Sequence, residues 1–340
     1  MSKPHLVSSK SGFTLAPELL VKMHDLMVRT RSLEERLIKM YKQNDGFFWI
    51  GGPGEEAFNI PLGLLLNKGQ GPKYDYFHGH YRSMGVLLTL GADPIDALRQ
   101  MKNTASDPFS GGRNFCGHAS IKKWNVAPIS SPIEVQYSIA PGTALGNKRA
   151  GDGITVVTGG DAGTAEGDFA TCLVWSSRPG NELPILIVVT NNNWGISTAA
   201  DTQHGDRVIA DRGKAFGMKT MVINGNDPQE SYLKIKEAMD YIRKEKKPIL
   251  MEARVSRLYG HSSASGANFV TNEEDPLKTF EDRLEAAGIL SKDQMKRIWY
   301  IYNEQMLADA QKVRLEPQPS PDSIWDHVYC GQKGKPGRYV

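Results

Sequence analysis

Gly159-Gly160-Asp161-Ala162-Gly163-Thr164-Ala165-Glu166-Gly167-Asp168, then Ile185-Leu186-Ile187-Val188-Val189, then Thr190-Asn191-Asn192-Asn193-Trp194: this stretch decides the fold. The run Ile154-Thr155-Val156-Val157-Thr158 precedes the first segment, so an acidic residue closes one β-branched run and a paired asparagine closes the next. Continuous apolar runs of this kind suit strands buried on both faces of a parallel sheet. Thr164 to Arg178 reads as the crossover helix between them. Ligands of such sheets sit beyond the carboxyl ends of the strands, so Asp161 and Asn192 are expected side by side at that edge. A carboxylate, an amide oxygen and a glycine-rich loop at a helix start make an oxygen-rich pocket. It suits Mg²⁺ held together with a diphosphate.

The rest of the chain supports an α/β protein with a mostly parallel sheet and helices on both faces. Strand and helix signals alternate: strand 154–158, helix 165–177, strand 185–190, strand 219–224, helix 228–245, strand 248–256. Apolar residues at helical spacing predict a helix from Leu15 to Gln43, with Pro17 in its first turn, and further helices over 275–287 and 291–314. Residues 1–14 read as a loose arm, 15–315 as one α/β domain, and 316–340 as an extended tail.

Composition excludes several classes. The 340 residues carry 41 basic and 38 acidic groups, a net charge of +3, too balanced to argue for nucleic acid or membrane. At 40% apolar and 23% charged the chain can bury a sizeable core. Cys116, Cys172 and Cys330 are scattered and odd in number, so neither a zinc site nor a disulfide framework is expected. No apolar run approaches the roughly 18 residues a membrane span needs. A reduced, cytoplasmic compartment is the expectation.

Other segments offer chemistry beside plainer readings. Tyr81-Arg82 heads an apolar helix, where an arginine is electrostatically misplaced unless an anion is near; the alternative is a solvated surface residue. The loop Gly111 to His118 brings Arg113 and His118 within reach of a substrate carboxylate, or is an Ω-loop with a structural arginine, the reading composition favours. Ser131 reads as a helix N-cap, and Ile133 as an apolar wedge only if a ring cofactor packs on it. His261 follows the strand 248–256 in a Gly/Ser-rich loop, placed for acid–base or phosphate contacts. Gly54-Glu55-Glu56-Ala57 reads as helix capping and subunit packing.

Taken in order, these segments resemble the alpha subunit of the thiamine diphosphate-dependent 2-oxo acid dehydrogenases, from about residue 20 to 325. The markers are Gly-Glu-Glu-Ala at 54–57, Tyr81-Arg82, Gly112-Arg113 with His118, Ser-Ser-Pro-Ile at 130–133, the Asp161/Asn192 pair and Gly-His-Ser at 260–262. The resemblance implies a thiamine diphosphate-binding fold. Asp161, Asn192 and the Trp194 carbonyl would bind Mg²⁺; Tyr81 and Arg82 would hold the diphosphate, with Gly160, Ala162 and Gly163 in the loop against the cofactor. Ser131 and Ile133 would flank the aminopyrimidine, His261 would face the reacting carbon and act in catalysis, and Arg113, His118 and Ser262 would approach substrate.

The implied reaction is oxidative decarboxylation of a 2-oxo acid with reductive acylation of a lipoyl domain. The implied partners are a beta subunit, in an assembly of two alpha and two beta chains that supplies the activating glutamate, and the lipoyl domain of a dihydrolipoyl acyltransferase. Ile196-Ser197-Thr198, Gln203, Gly205-Asp206, Ile209-Ala210 and Arg212-Gly213 resemble the branched-chain members, so 2-oxoisovalerate is favoured over pyruvate or acetoin. Three positions depart from the pattern. Ala162 stands where many relatives have Gly, Thr190 replaces an arginine before Asn-Asn, and Ser265-Gly266 stand where an Asp is usual. Ser262 aligns with a serine that is phosphorylated in mitochondrial relatives. Two other classes remain: a Mg²⁺-dependent phosphotransfer or hydrolytic enzyme, which would want the Walker lysine this chain lacks, and a non-catalytic scaffold of the same fold.

Overall fold

The computed structural model describes residues 12–326. In chain order the elements are α1 (Pro17–Lys42), α2 (Glu56–Leu65), β1 (Tyr76–His78), α3 (Met84–Leu90), α4 (Pro94–Lys102), α5 (Val135–Ala150), β2 (Thr155–Gly160), α6 (Gly167–Ser176) and β3 (Ile185–Asn191). They continue with β4 (Trp194–Gly195), β5 (Thr198–Ala199), β6 (Lys219–Asn224), α7 (Pro228–Glu245), β7 (Ile249–Arg254), α8 (Pro276–Ala286) and α9 (Lys292–Val313).

Five strands form one parallel sheet in the order β1-β2-β3-β7-β6. Every residue of β3 from Ile185 to Val189 is fully buried, because helices cover the sheet on both sides. Each such side chain contributes about 1.5–3 kcal/mol of burial. β2 and β3 run in register from Thr155 opposite Ile185 to Gly160 opposite Thr190, so both strands end at the same height. That register delivers Asp161 and Asn192 to the same edge of the sheet, and β7 ends beside them, with Thr190 opposite Ala253.

Helix ends follow local chemistry. Asp93, Asp227 and Asp275 each cap a helix whose first residue is proline, and Ser291 and Gln294 form a reciprocal capping box. Ser131 is not an N-cap. α5 begins at Val135 after a turn, and the Ser131 hydroxyl bonds the His118 Nε2 at 2.9 Å instead. The chain ends are pinned where they are described. Phe13 packs edge-on against Phe280, and Gln229 accepts the Thr14 N–H. Past α9, Glu316 pairs with Arg99, and the segment Pro321–Trp325 forms a short 3-10 turn within the expected tail. Cys116 and Cys172 are buried free thiols; Cys330 lies outside the described residues. No helix among the described residues is long and apolar enough to cross a membrane.

Candidate active site

Beyond the carboxyl ends of β2 and β3 lies a cavity of about 220 Å³. Tyr81, Arg82, Ile133, Gly160, Asp161, Ala162, Gly163, Asn192, Trp194 and His261, named above from sequence, all line it. Glu134, Glu166, Gly195, Ile196 and Gln203 complete the wall.

The strand-end side is built from backbone. Asp161 sits at the end of β2, and its own carbonyl accepts from the Thr164 N–H (3.1 Å) and hydroxyl (2.6 Å), which closes the turn. The Asp161 carboxylate is almost fully buried, and Oδ2 has no hydrogen-bond partner. Burial raises its pKa, with the neighbouring N–H groups opposing. Asn192 is likewise buried, and its Oδ1 accepts the Trp194 N–H at 3.1 Å, curling the chain so that residues 192–195 wrap one edge of the cavity. A Cβ on Gly160 would meet nothing within 4 Å, so a ligand can come up against bare backbone there. Ile196 holds a left-handed φ of 57°, a costly conformation for a β-branched residue.

The opposite side is ionic. Arg82 is buried with its Nη1 donating to the Gly51 carbonyl and its Nη2 facing the His261 Nδ1 at 3.2 Å. A guanidinium can only donate, so Nδ1 is the acceptor and the His261 proton sits on Nε2. Burial pulls His261 down to about 4, and the charges of Arg82 and Arg257 add to that, so the ring is neutral near pH 7. Tyr81 meets His261 edge to face at 5.9 Å and lies under the Arg82 guanidinium.

Behind Arg82 stands Glu55, fully enclosed, with Oε1 3.7 Å from the Arg82 Nε and neither oxygen hydrogen-bonded. Burial pushes Glu55 up to about 8 despite Arg82, and the charges of Glu56 and Asp161 push the same way. The nearby Thr190 hydroxyl donates to the Gly159 carbonyl. In α1, Glu34 accepts from the Trp49 Nε1 at 2.8 Å and is lifted by burial to about 7.

Four residues named from sequence lie elsewhere. Arg113 is turned outward, its Nη1 donating to the carbonyls of Ser323 and Asp326. Buried His118 and exposed Ser131 bond each other, and His118 Nδ1 also meets the Cys116 carbonyl. Ser262 caps a 3-10 turn by accepting the Ala264 N–H. None of the four lines the cavity. Sequence reasoning passed over Glu134 and Glu166 as residues near helix starts, with no local signal marking them as cavity groups. It missed the approach of Glu55 to Arg82 because that pairing is tertiary.

The donor set fits an anion with a cation. An unpartnered buried carboxylate oxygen and an amide oxygen face a guanidinium that no carboxylate touches at hydrogen-bond distance.

Comparison with known proteins follows the same outline. Residues 24–322 match the family described as dehydrogenase E1 component. The 2-oxoisovalerate dehydrogenase subunit alpha of Bacillus subtilis (strain 168) is 31% identical over 329 residues, 93% of this chain and 97% of that protein. The pyruvate dehydrogenase E1 component subunit alpha of Acholeplasma laidlawii is 27% identical, covering 92% of this chain and 84% of its own length. The mitochondrial 2-oxoisovalerate dehydrogenase subunit alpha of Homo sapiens is 26% identical, over 93% of this chain and 71% of that protein.

Proposed function

We infer what the chain does from one premise: it belongs to the dehydrogenase E1 component family. It is the alpha subunit of a 2-oxo acid dehydrogenase, an oxidoreductase of a thiamine diphosphate-dependent family. The finer reading is a proposal. Mg²⁺ accompanies the cofactor, held by Asp161, Asn192 and the Trp194 carbonyl. Tyr81 and Arg82 take the diphosphate, the loop of Gly160, Ala162 and Gly163 lies against it, and Ile133 supports the cofactor ring. The observation that carries this reading is the buried, unpartnered Oδ2 of Asp161 in one cavity with Arg82.

When bound, thiamine diphosphate supplies the carbon nucleophile and the electron sink that decarboxylation needs. The chain's own groups place and hold. Arg82 is fixed from behind by Gly51 and His261, so its remaining donors meet an anion without first reorganising. His261, neutral with its proton on Nε2, holds a hydrogen-bond donor at the cavity wall for an oxygen beside it. Trp194 and Ile196 add apolar surface to the cavity wall.

The proposed substrate is a branched-chain 2-oxo acid such as 2-oxoisovalerate. In support, the Bacillus subtilis and Homo sapiens relatives carry that substrate in their names. The proposed assembly is two of these chains with two beta chains, passing the acyl group to a lipoyl domain of an acyltransferase. In support, the cavity is smaller than the ~300–1,000 Å³ of ordinary small-molecule sites and is rimmed by exposed apolar residues. Ile133 is 45% exposed, Trp194 38% and Ile196 55%.

The test is calorimetric titration of thiamine diphosphate with Mg²⁺ into the chain, alone and co-purified with a beta subunit, followed by decarboxylation assays on 2-oxoisovalerate and pyruvate. Tight binding with the beta chain and preference for 2-oxoisovalerate are expected. Preference for pyruvate would overturn the substrate, and no binding in either state would overturn the cofactor site.

A further inference from the structure

We infer that Glu134 is the positioning residue of the Asp161 turn, its carboxylate clamping the end of β2 so that Asp161 is held at the geometry a divalent cation requires. The inference rests on the proposal that Asp161 binds the cation.

Glu134 stands at the N-cap of α5, yet its side chain caps nothing. It turns inward and is 2% exposed. Oε1 accepts the Gly160 N–H at 3.3 Å, and Oε2 accepts the Gln136 Nε2 at 2.7 Å. Gln136 is fixed in that orientation, since the same nitrogen also donates to the Thr158 carbonyl at 3.1 Å. One carboxylate therefore ties α5 to the last residue of β2. Among the described residues no cation pairs with it.

The fit is tight on two sides. A Cβ at Gly159 would run into one carboxylate oxygen, and a Cβ at Gly163 into the other. Neither glycine has a positive φ, so space asks for glycine and not the backbone conformation: for Glu134 alone at Gly163, and for Glu134 together with the Tyr137 ring at Gly159. Gly163 lies in the turn that follows Asp161. The turn is thus held from two directions: Thr164 closes it on the Asp161 carbonyl, and Glu134 holds the Gly160 N–H just before it. Between the clamps lies the carboxylate whose Oδ2 is buried and unpartnered. A carboxylate buried without a cation is costly and needs a compensating use. Holding a metal ligand by hydrogen bonds from outside the coordination shell is such a use.

The substitutions distinguish this role from general packing. Glu134→Gln keeps the volume but sets an NH₂ against one of two N–H donors. Glu134→Ala removes both acceptors and leaves a gap. Gly163→Ala pushes a methyl into the carboxylate, and in the Glu134→Ala background that methyl finds free space.

The experiment is a Mn²⁺ titration followed by electron paramagnetic resonance on the full-length chain assembled with its beta partner and thiamine diphosphate, with thermal midpoints recorded in parallel. Asp161→Asn is expected to abolish tight Mn²⁺ binding. Glu134→Gln and Glu134→Ala are expected to weaken it about tenfold, as loss of an outer-shell partner does, with the midpoint of Glu134→Gln close to that of the parent chain. Gly163→Ala is expected to match Glu134→Ala alone and to add nothing to it in the double variant.

Parent-like Mn²⁺ affinity in both Glu134 variants, with Asp161→Asn still defective, would overturn the inference and leave the metal site standing. Full additivity of Glu134→Ala and Gly163→Ala would overturn the wedge. Unchanged binding in Asp161→Asn would overturn the metal site and this inference together.

Discussion

Arg31 and Arg82 are both buried guanidiniums, 3% and 5% exposed in their side chains, yet the fold treats them differently. Arg31 makes two forked pairs, with Glu56 at 2.6 and 3.0 Å and with Asp275 at 3.0 and 3.1 Å. Its charge is more than matched, and Asp275 also caps α8. Arg82 has a carbonyl, an imidazole nitrogen and a carboxylate held off at 3.7 Å. Where the molecule needs a joint between α1, α2 and α8, positive charge is fully neutralised. At the cavity it is left short of a partner. The difference separates a structural ion pair from a receptive one, although burial alone would not tell them apart.

The sharpest way to break this contrast is to delete each arginine. Arg31→Met strands the buried Glu56 carboxylate and leaves the half-buried Asp275 without its partner, and losing one member of a buried pair costs about 3–5 kcal/mol. Thermal or urea unfolding should show that loss as a large drop in midpoint. Arg82→Met should unfold at nearly the parent temperature yet bind thiamine diphosphate more weakly by roughly 10- to 150-fold, the equivalent of about 1.5–3 kcal/mol for a hydrogen bond to a charged group. If Arg82→Met lost as much stability as Arg31→Met while its cofactor affinity held, the two would be the same kind of residue and the contrast would fail.

A smaller effect follows from Glu55, the carboxylate kept at a distance from Arg82. Its ordinary pKa of 4.5 rises to about 8 through burial, and that of Glu34 rises to about 7. Between the unfolded and folded values the native chain holds more protons than the unfolded one. The share of stability that Glu55 and Glu34 carry in the cofactor-free chain should therefore be greatest at the acid end of this window, fall as pH rises from about 4.5 to about 8, and level off above. Arg82, Glu56 and Asp161 are the charged groups acting on Glu55. Glu55→Gln removes its share, so urea midpoints from pH 5 to 9 should decline less steeply than in the parent chain. Identical slopes would show that Glu55 titrates normally and is better paired than its geometry indicates.

The contrast also marks what a sequence can carry. Asp161 and Asn192 were legible because a parallel sheet turns two strand ends into one edge: the apolar runs located the strands, and register did the rest. Arg82 was legible because an arginine before an apolar helix lacks a local reason to be there. The Arg31 joint was not, since Asp275 lies 244 residues away and no periodicity links them. Glu134 looked like an early helix residue, and only the folded chain shows Gly159 and Gly163 making room for it. Ser131 had the right residue type for a cap, but His118, 13 residues earlier, took its hydroxyl. Local grammar places elements and their ends; side chains that bridge elements answer to packing.

Ile196 gives the smallest predicted effect and the finest version of the comparison. It is 55% exposed, so its side chain contributes little burial, while its φ of 57° belongs to the region that Asn tolerates and branched residues avoid. Strain of this kind is of order 1–3 kcal/mol, partly offset here by Arg257, whose Nη1 holds the Ile196 carbonyl at 2.9 Å. Ile196→Asn should therefore raise the stability of the chain, by about 1 kcal/mol, as read from denaturant midpoints. The same change removes apolar surface from the cavity mouth and should raise the KM for a branched 2-oxo acid more than that for pyruvate. Stability gained with selectivity lost would place Ile196 with Arg82, among residues held in a costly state for the sake of a ligand. Stability unchanged or lowered would mean that the Arg257 contact already repays the strain, and Ile196 would then stand with Arg31 as part of the frame.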